Sequence, residues 1–353
     1  MTLVLFILIF GVVVIAHEFG HFLLAKANGI HVVEFAVGMG PNLISIKKGG
    51  TKYCLKLFPI GGACMFEGED GMNMPAEESQ GAFNKASVWG RISTVAAGPI
   101  FNFILAFIVA FVMVNMSDIF AIRDSVATQV VPGGGAEAAG MRDGDRILSI
   151  NGEKVRLYQE ITLYMQASYQ GGNLEIVYER DGERFTAILT PQYSSETGTA
   201  LLGVINGEYQ EPRGIDTLKY AWYEMRLSAK ATYKSLGMLL RGRVEREDVA
   251  GPVGIAVNVV GKSYEEAKDY GWKNVLLSML YIVLMLSVNL GILNLLPIPA
   301  LDGGRLVFLL VEVFRGKPIP PEKEGMVHFV GLVFFMVLMV FVFFNDLANI
   351  FAH

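Results

Sequence analysis

The sequence predicts a polytopic α-helical membrane protein with about four transmembrane helices, a membrane-associated β-hairpin loop and one extracytoplasmic α+β domain. Three observations carry this. Hydrophobic residues make up 52% of the 353, only 18% are charged, and mean hydropathy is +0.43, too apolar for an ordinary soluble chain. Four stretches, 2–25, 92–116, 274–297 and 326–344, are long and apolar enough to cross a bilayer. The stretch between the second and third, 117–273, has ordinary globular composition. The net charge of −5 gives no reason to expect a nucleic-acid partner.

The first span carries His17-Glu18-Phe19-Gly20-His21 inside an apolar run. On a helix, residues four apart share a face, so both imidazoles can hold one metal ion. Glu18 can then serve as general base toward a metal-activated water, the arrangement of zinc metalloproteases. Three ionisable groups in an apolar span are costly unless they work. Ala25-Lys26-Ala27 superficially resembles a signal-peptidase site. No basic segment precedes the span, however, and its apolar run is long and passes into charged residues, which excludes a cleaved leader.

In the loop 26–91, residues 31–37 and 53–58 read as strands, with glycine-rich turns at Gly38-Met39-Gly40-Pro41 and Gly49-Gly50 and a stop at Pro59-Ile60-Gly61-Gly62. One or two hairpins at the membrane face follow, whose free edge suits an extended peptide. Residues 67–81 are acidic and rich in breakers. Cys54 and Cys64 lack the spacing of a metal or redox motif, and a disulfide is not expected. In the second span, Gly98-Pro99 and Asn102 interrupt the apolar run, permitting close helix approach and a hydrogen bond across the bundle.

The polar region opens with a small mixed domain over 121–206. Strands are expected at 126–131, 174–179 and 184–190, with Asp181-Gly182 as a hairpin turn and a helix at 158–169. Apolar residues at Leu218, Trp222, Met225, Ala229, Tyr233, Leu236 and Leu240 predict an amphipathic helix over 214–240 that lies on the membrane surface. The chain thus divides into 1–116, 117–206, a helical connector at 207–273, and 274–353.

Spans one and three run in the same direction, so Asp302, just past span three, lies at the same side as His17 and His21. A catalytic zinc takes three protein ligands and one open position, which His17, His21 and Asp302 would fill. Lys26, Lys85, Arg91, Arg305, Arg315, Lys317 and Lys323 flank the spans at that side. The active-site end is therefore expected in the cytoplasm, with the polar domain and both termini outside. His31 and His328 read as ordinary polar residues.

These motifs in this order resemble the site-2 proteases, specifically their regulator-of-sigma-E protease (RseP) branch. His17–His21 matches the HExxH helix, Phe35–Pro41 an FxxGxGP turn, Pro59–Gly62 a PxGG element, Ala97–Asn102 an AGPxxN element, and Asn294–Gly303 the NxxPxPxLDG element that supplies a third ligand. Residues 136–152 resemble part of a PDZ domain, of which one fits here. The resemblance implies a Zn2+ enzyme of the bacterial cytoplasmic membrane that cuts the transmembrane segment of single-pass proteins already shortened by another protease. Anti-sigma factors and remnant signal peptides are family substrates. It further implies substrate contacts at Asn294, Pro297, Asn102, Gly38 and Gly40. A scaffold would not need all four of His17, Glu18, His21 and Asp302, and a metal transporter would need more intramembrane ligands.

Overall fold

The structure, a computed structural model, describes residues 1–69, 81–116, 120–194, 199–205, 207–244 and 249–352. It forms two compact units, one of Met1–Val109 with Val244–His353 and one of Ala110–Arg243. Most of the acidic segment, 70–80, lies outside the described residues.

Helix α1 (Thr2–Ala27) leads into two long strands, β1 (Val32–Lys48) and β2 (Thr51–Phe66), then helix α2 (Val88–Val114). The strands extend beyond the expected 31–37 and 53–58 because the glycines read as breakers are bends within the sheet. Gly38 and Gly40 have φ of +89° and +87°, open to glycine at little cost. A Cβ at Gly38 would strike the Phe58 carbonyl, and one at Gly40 the Phe58 ring. The bends make each strand pair twice. Residues 42–48 run antiparallel to 51–56, and 32–37 run antiparallel to 62–66. The pairs from Glu34–Lys52 to Val37–Leu55 ascend together. The result is a four-segment sheet in the order 42–48, 51–58, 32–39, 61–66.

The second unit contains β3 (Ile122–Arg123), β4 (Gln129–Val130), α3 (Gly135–Ala138), β5 (Arg146–Ile150), β6 (Glu153–Lys154), α4 (Tyr158–Ala167), β7 (Leu174–Arg180), β8 (Glu183–Leu189), β9 (Gln192–Ser194), β10 (Thr199–Leu201), β11 (Val204–Ile205), β12 (Tyr209–Gln210) and α5 (Ile215–Leu240). Its main sheet has the order β6-β5-β7-β8, with β11 paired to β4 and β12 to β3. The β7–β8 turn has positive φ at Asp181 and Gly182 (+52° and +82°), the tight turn that an Asp-Gly pair favours. Ile147, Ile150, Ile161, Leu174, Ile176 and Leu189 anchor the core.

Helix α5 does not stand alone as a connector. Its Arg226 and Lys230 bind Glu160 of α4 at 2.9 and 2.8 Å, Lys234 binds Glu153 at 2.8 Å, and the Tyr220 hydroxyl donates to Asp124 at 2.8 Å. The rest of 207–273 belongs to the first unit. There α6 (Pro252–Gly254) runs on as a π-helical stretch (Ile255–Gly261) into α7 (Lys262–Lys268). Helices α8 (Trp272–Asn294), α9 (Asp302–Arg315) and α10 (Pro321–Ala352) complete the chain. Among the described residues four helices are long and apolar enough to cross a membrane: Thr2–Ala27, Val88–Val114, Trp272–Leu295 and Glu322–Asn349. The last exceeds the expected 326–344 at both ends, because acidic residues are tolerated in its first turn and Asn345 and Asp346 near its end.

Candidate metal centre and active site

The site is built where α1 crosses α2. Gly20, the one small residue inside the His-Glu-Phe-Gly-His run, makes the crossing possible. A Cβ there would drive into the Ala97 carbonyl and the Phe101 side chain. On α2, Gly98 plays the reciprocal part, since a Cβ would overlap the rings of both His17 and His21. His17 and His21 are buried at 8% and 7% exposure.

Asp302 arrives from the first turn of α9. Three contacts fix it there. Gly303 and Gly304 lie so close to the carbonyls of Leu296 and Ile298 that no side chain fits. Ala300, in the left-handed region at φ +73°, donates its N–H to His328 Nδ1 at 3.0 Å, so a histidine read as ordinary holds the loop that presents Asp302. Finally, Arg91 of α2 grips Glu312 of α9 with two hydrogen bonds of 3.0 and 2.5 Å, a bidentate pair that sets orientation as well as distance.

Three donor atoms then converge. His17 Nε2 and His21 Nε2 are 3.3 Å apart, and Asp302 Oδ2 lies 3.2 Å from the first and 3.4 Å from the second. A tetrahedral zinc with bonds of about 2.0–2.1 Å separates its ligands by about 3.3–3.4 Å. The triangle has the size of one face of that tetrahedron. Asp302 Oδ2 is buried with no hydrogen-bond partner, as an oxygen kept for a metal would be. Among the described residues these three are the only such cluster.

The far nitrogens of both imidazoles are also engaged. His21 Nδ1 donates to the Thr94 carbonyl at 2.9 Å. His17 Nδ1 lies 3.1 Å from the Asn102 carboxamide nitrogen, while the amide oxygen, equally buried, has no partner. A half-turn of the amide brings that oxygen to Nδ1–H and leaves Nε2 bare for the metal. Both rings then carry the proton on Nδ1, as ligating histidines require. Asn102, expected to touch substrate, is 0% exposed and stands behind His17. Its backbone carbonyl accepts from Ser287 of α8 at 2.8 Å. The sequence signal was the polar residue within an apolar span; its partner could not be read from it.

Glu18 leans the other way, toward the sheet. Its carboxylate accepts the Cys64 backbone N–H, and Gly62 packs so tightly on Glu18 and Val14 that a Cβ would overlap both. Asn294 ends α8, and Pro297 is exposed in the connection to α9. Gly38 and Gly40 are sheet bends. Cys54 and Cys64 are free thiols.

This is the constellation of a zinc metalloprotease set among membrane helices. The profile of Peptidase family M50 matches residues 5–338, and the chain belongs to that family. It is 33% identical to zinc metalloprotease RasP of Bacillus licheniformis, with 99% of each chain covered. It is 30% identical to the regulator of sigma-W protease RasP of Bacillus subtilis, again over 99% of each. A putative zinc metalloprotease of Clostridium acetobutylicum is 35% identical, covering 98% of this chain and 97% of that one. A PDZ domain of an SdrC-like protein from Listeria monocytogenes covers 24% of this chain and 87% of its own at 23% identity and a TM-score of 0.22. The resemblance to site-2 proteases of the RseP branch therefore holds, and the protein is a zinc metalloprotease with Zn2+ as its metal.

Proposed function

We propose that the protein hydrolyses a peptide bond within the transmembrane segment of single-pass membrane proteins, after another protease has shortened their outer part. The position of the donor triangle carries this reading. His17 and His21 are six to ten residues from the end of α1, about 9–15 Å into the helix, within the depth of a hydrocarbon core of about 30 Å. His17, His21 and Asp302 hold the zinc, and Glu18 takes a proton from the attacking water and returns it to the leaving amine. Zinc, when bound, supplies Lewis acidity to the water and the scissile carbonyl.

The substrate must be extended to be cut, because a helical carbonyl is already hydrogen-bonded. The segment 61–66 is the outermost of its sheet. Cys64 gives its N–H to Glu18, so this segment lies against the general base. A substrate strand added there would have its backbone beside Glu18. Asn294 and Pro297 would border the same path, with Gly38 and Gly40 shaping the sheet and Asn102 acting through His17. The flanking lysines and arginines support a bacterial cytoplasmic membrane with the active-site end toward the cytoplasm and both termini outside. The unit over 110–243 would be an extracytoplasmic PDZ domain that meets the substrate's trimmed end. Anti-sigma factors and remnant signal peptides fit as substrates.

The test is cleavage of a single-pass substrate with a shortened outer domain, in detergent. Wild type should cut the substrate once within the membrane segment, giving two fragments. Glu18→Gln, or removal of zinc by a chelator, should abolish the cut. A Glu18→Gln chain that still cuts would sink the general-base assignment.

A further inference from the structure

The sheet of β1 and β2 has a direction relative to α1, and its exposed residues follow that direction. At one end Val32 clusters with Ala25 and Ile30 by the end of α1, and Thr51 donates to the Val32 carbonyl at 2.8 Å. At the other end Gly62, paired with Val37, packs on Val14. From Ala25 to Val14 is about 16 Å of helix, half of a hydrocarbon core. The bends at Gly38–Gly40 and Phe58 therefore sit deep, and the turn at Gly49-Gly50 is level with the end of α1.

The exposed charges are sorted along this axis; Lys56, between Leu55 and Leu57, is turned inward to Glu34 at 2.8 Å. Met39, Leu43, Ile44, Leu55, Leu57 and Phe58, toward the deep end, are 45–59% exposed. Adjacent residues Leu43 and Ile44 point to opposite faces, so neither face of the sheet's outer part is covered by protein. At the shallow end stand Lys47, Lys48 and Lys52. No Asp or Glu occurs between Phe35 and Phe66. Lys52 is met by Glu34 at 3.2 Å, but Lys47 and Lys48 are exposed and have no acidic partner among the described residues. Lys47 also sits directly opposite Lys52 in the register, a like-charge pair in which the one nearby carboxylate, Glu34, is shared by Lys52 and Lys56 and leaves the Lys47 charge unanswered.

We propose that the outer strand 42–48 faces lipid and that Lys47 on one face of the sheet and Lys48 on the other each bind the phosphate of an anionic glycerophospholipid in the leaflet at the Lys26 end of α1. Apolar side chains below and lysines at headgroup level match the two layers of that leaflet, and each lysine near an anionic surface adds to the attraction. The anion relieves the Lys47–Lys52 repulsion and thereby firms the sheet whose other outer segment lies against Glu18. The inference rests on the chain's place in a membrane and not on cleavage.

The experiment is backbone hydrogen exchange on the full zinc-loaded chain. It is reconstituted in vesicles of phosphatidylcholine, of phosphatidylcholine with phosphatidylglycerol, or of phosphatidylcholine with inorganic phosphate in the buffer. Exchange over 42–53 should slow on the order of tenfold with phosphatidylglycerol. It should not slow with inorganic phosphate, nor in a Lys47→Gln/Lys48→Gln chain. Exchange over 146–150 serves as the folding control and should be the same throughout. Equal exchange in the two lipids overturns the proposal, as does slowing in the double variant or slowing by inorganic phosphate alone. The Glu18→Gln chain must show the wild-type lipid response, which separates this outcome from the fate of the protease reading.

Discussion

Replacing Asn102 by Ala should weaken zinc binding without touching a ligand. Asn102 is 0% exposed and lies 3.1 Å from His17 Nδ1. Asn102 has no exposed surface, so bulk water is not beside His17 Nδ1 to replace the lost acceptor. His17 must either keep a proton on Nδ1 with nothing to receive it or move the proton to Nε2, where it blocks the metal. A buried donor left unpaired costs about 1–3 kcal/mol, which corresponds to roughly 5- to 150-fold in affinity. That range overlaps the 10- to 100-fold typical of groups that orient metal ligands. The assay is competition for zinc against a chelator of known affinity, with cleavage measured in parallel. The Ser287 bond goes to the Asn102 backbone and survives the change, so the α2–α8 contact is kept. Asn102→Asp, which retains an acceptor, should recover most of the affinity. An Ala variant with wild-type zinc affinity would refute the assignment of Asn102 to His17.

Gly98→Ala places a methyl in the rings of His17 and His21, and overpacking of this kind costs about 1–3 kcal/mol. The purified variant should hold well under one zinc per chain; full occupancy would show that the α1–α2 crossing can relax. In the second unit, burial and then the neighbouring Glu160 push the Glu224 carboxyl up to about 7 from its ordinary 4.5. The folded unit therefore keeps a proton that the unfolded chain has lost. Its stability should fall as pH rises from about 4.5 to about 7, by up to about 3 kcal/mol. Denaturant melts of wild type and Glu224→Gln across that window check this, and a slope unchanged by the substitution would exclude Glu224 as its source.

What the sequence showed of the site was local or directional. His17 and His21 are four residues apart, and a helix alone puts them together. Asp302 is distant, but the parity of the spans carries it to the same side. Asn102 and His328 were invisible as partners, because each acts through a contact that exists only when helices cross. Asn102 reaches His17 over the Gly20–Gly98 crossing, and His328 reaches the Ala300 N–H from a later helix. The sheet was foreseen only in part for a related reason. Glycine and proline at 38–41 and 59–62 break ordinary strands, whereas here Gly38, Gly40 and Gly61, with φ of +89°, +87° and +79°, let two strands bend and pair twice.

The stretch from Gly251 shows how the same accounting explains a polar pair that the hydropathy pattern passes over. Asn345 and Asp346 follow an unbroken apolar run in α10, and Asp346 is 1% exposed. A buried carboxylate is costly unless its oxygens are filled. Both are. They accept the N–H groups of Gly251 and Gly254 at 2.8 Å each, while Asn345 donates to the Val249 carbonyl at 3.1 Å. Those N–H groups belong to the start of the helix that begins at Pro252, where no intrahelical acceptor exists. Gly251 and Gly254 are glycine because a Cβ at either would meet the Asp346 carboxylate. The polar pair at one end of α10 and the Gly-Pro-Val-Gly run are thus one feature, a helix start capped by a side chain from another helix. Neither half has a reason to be polar or small without the other.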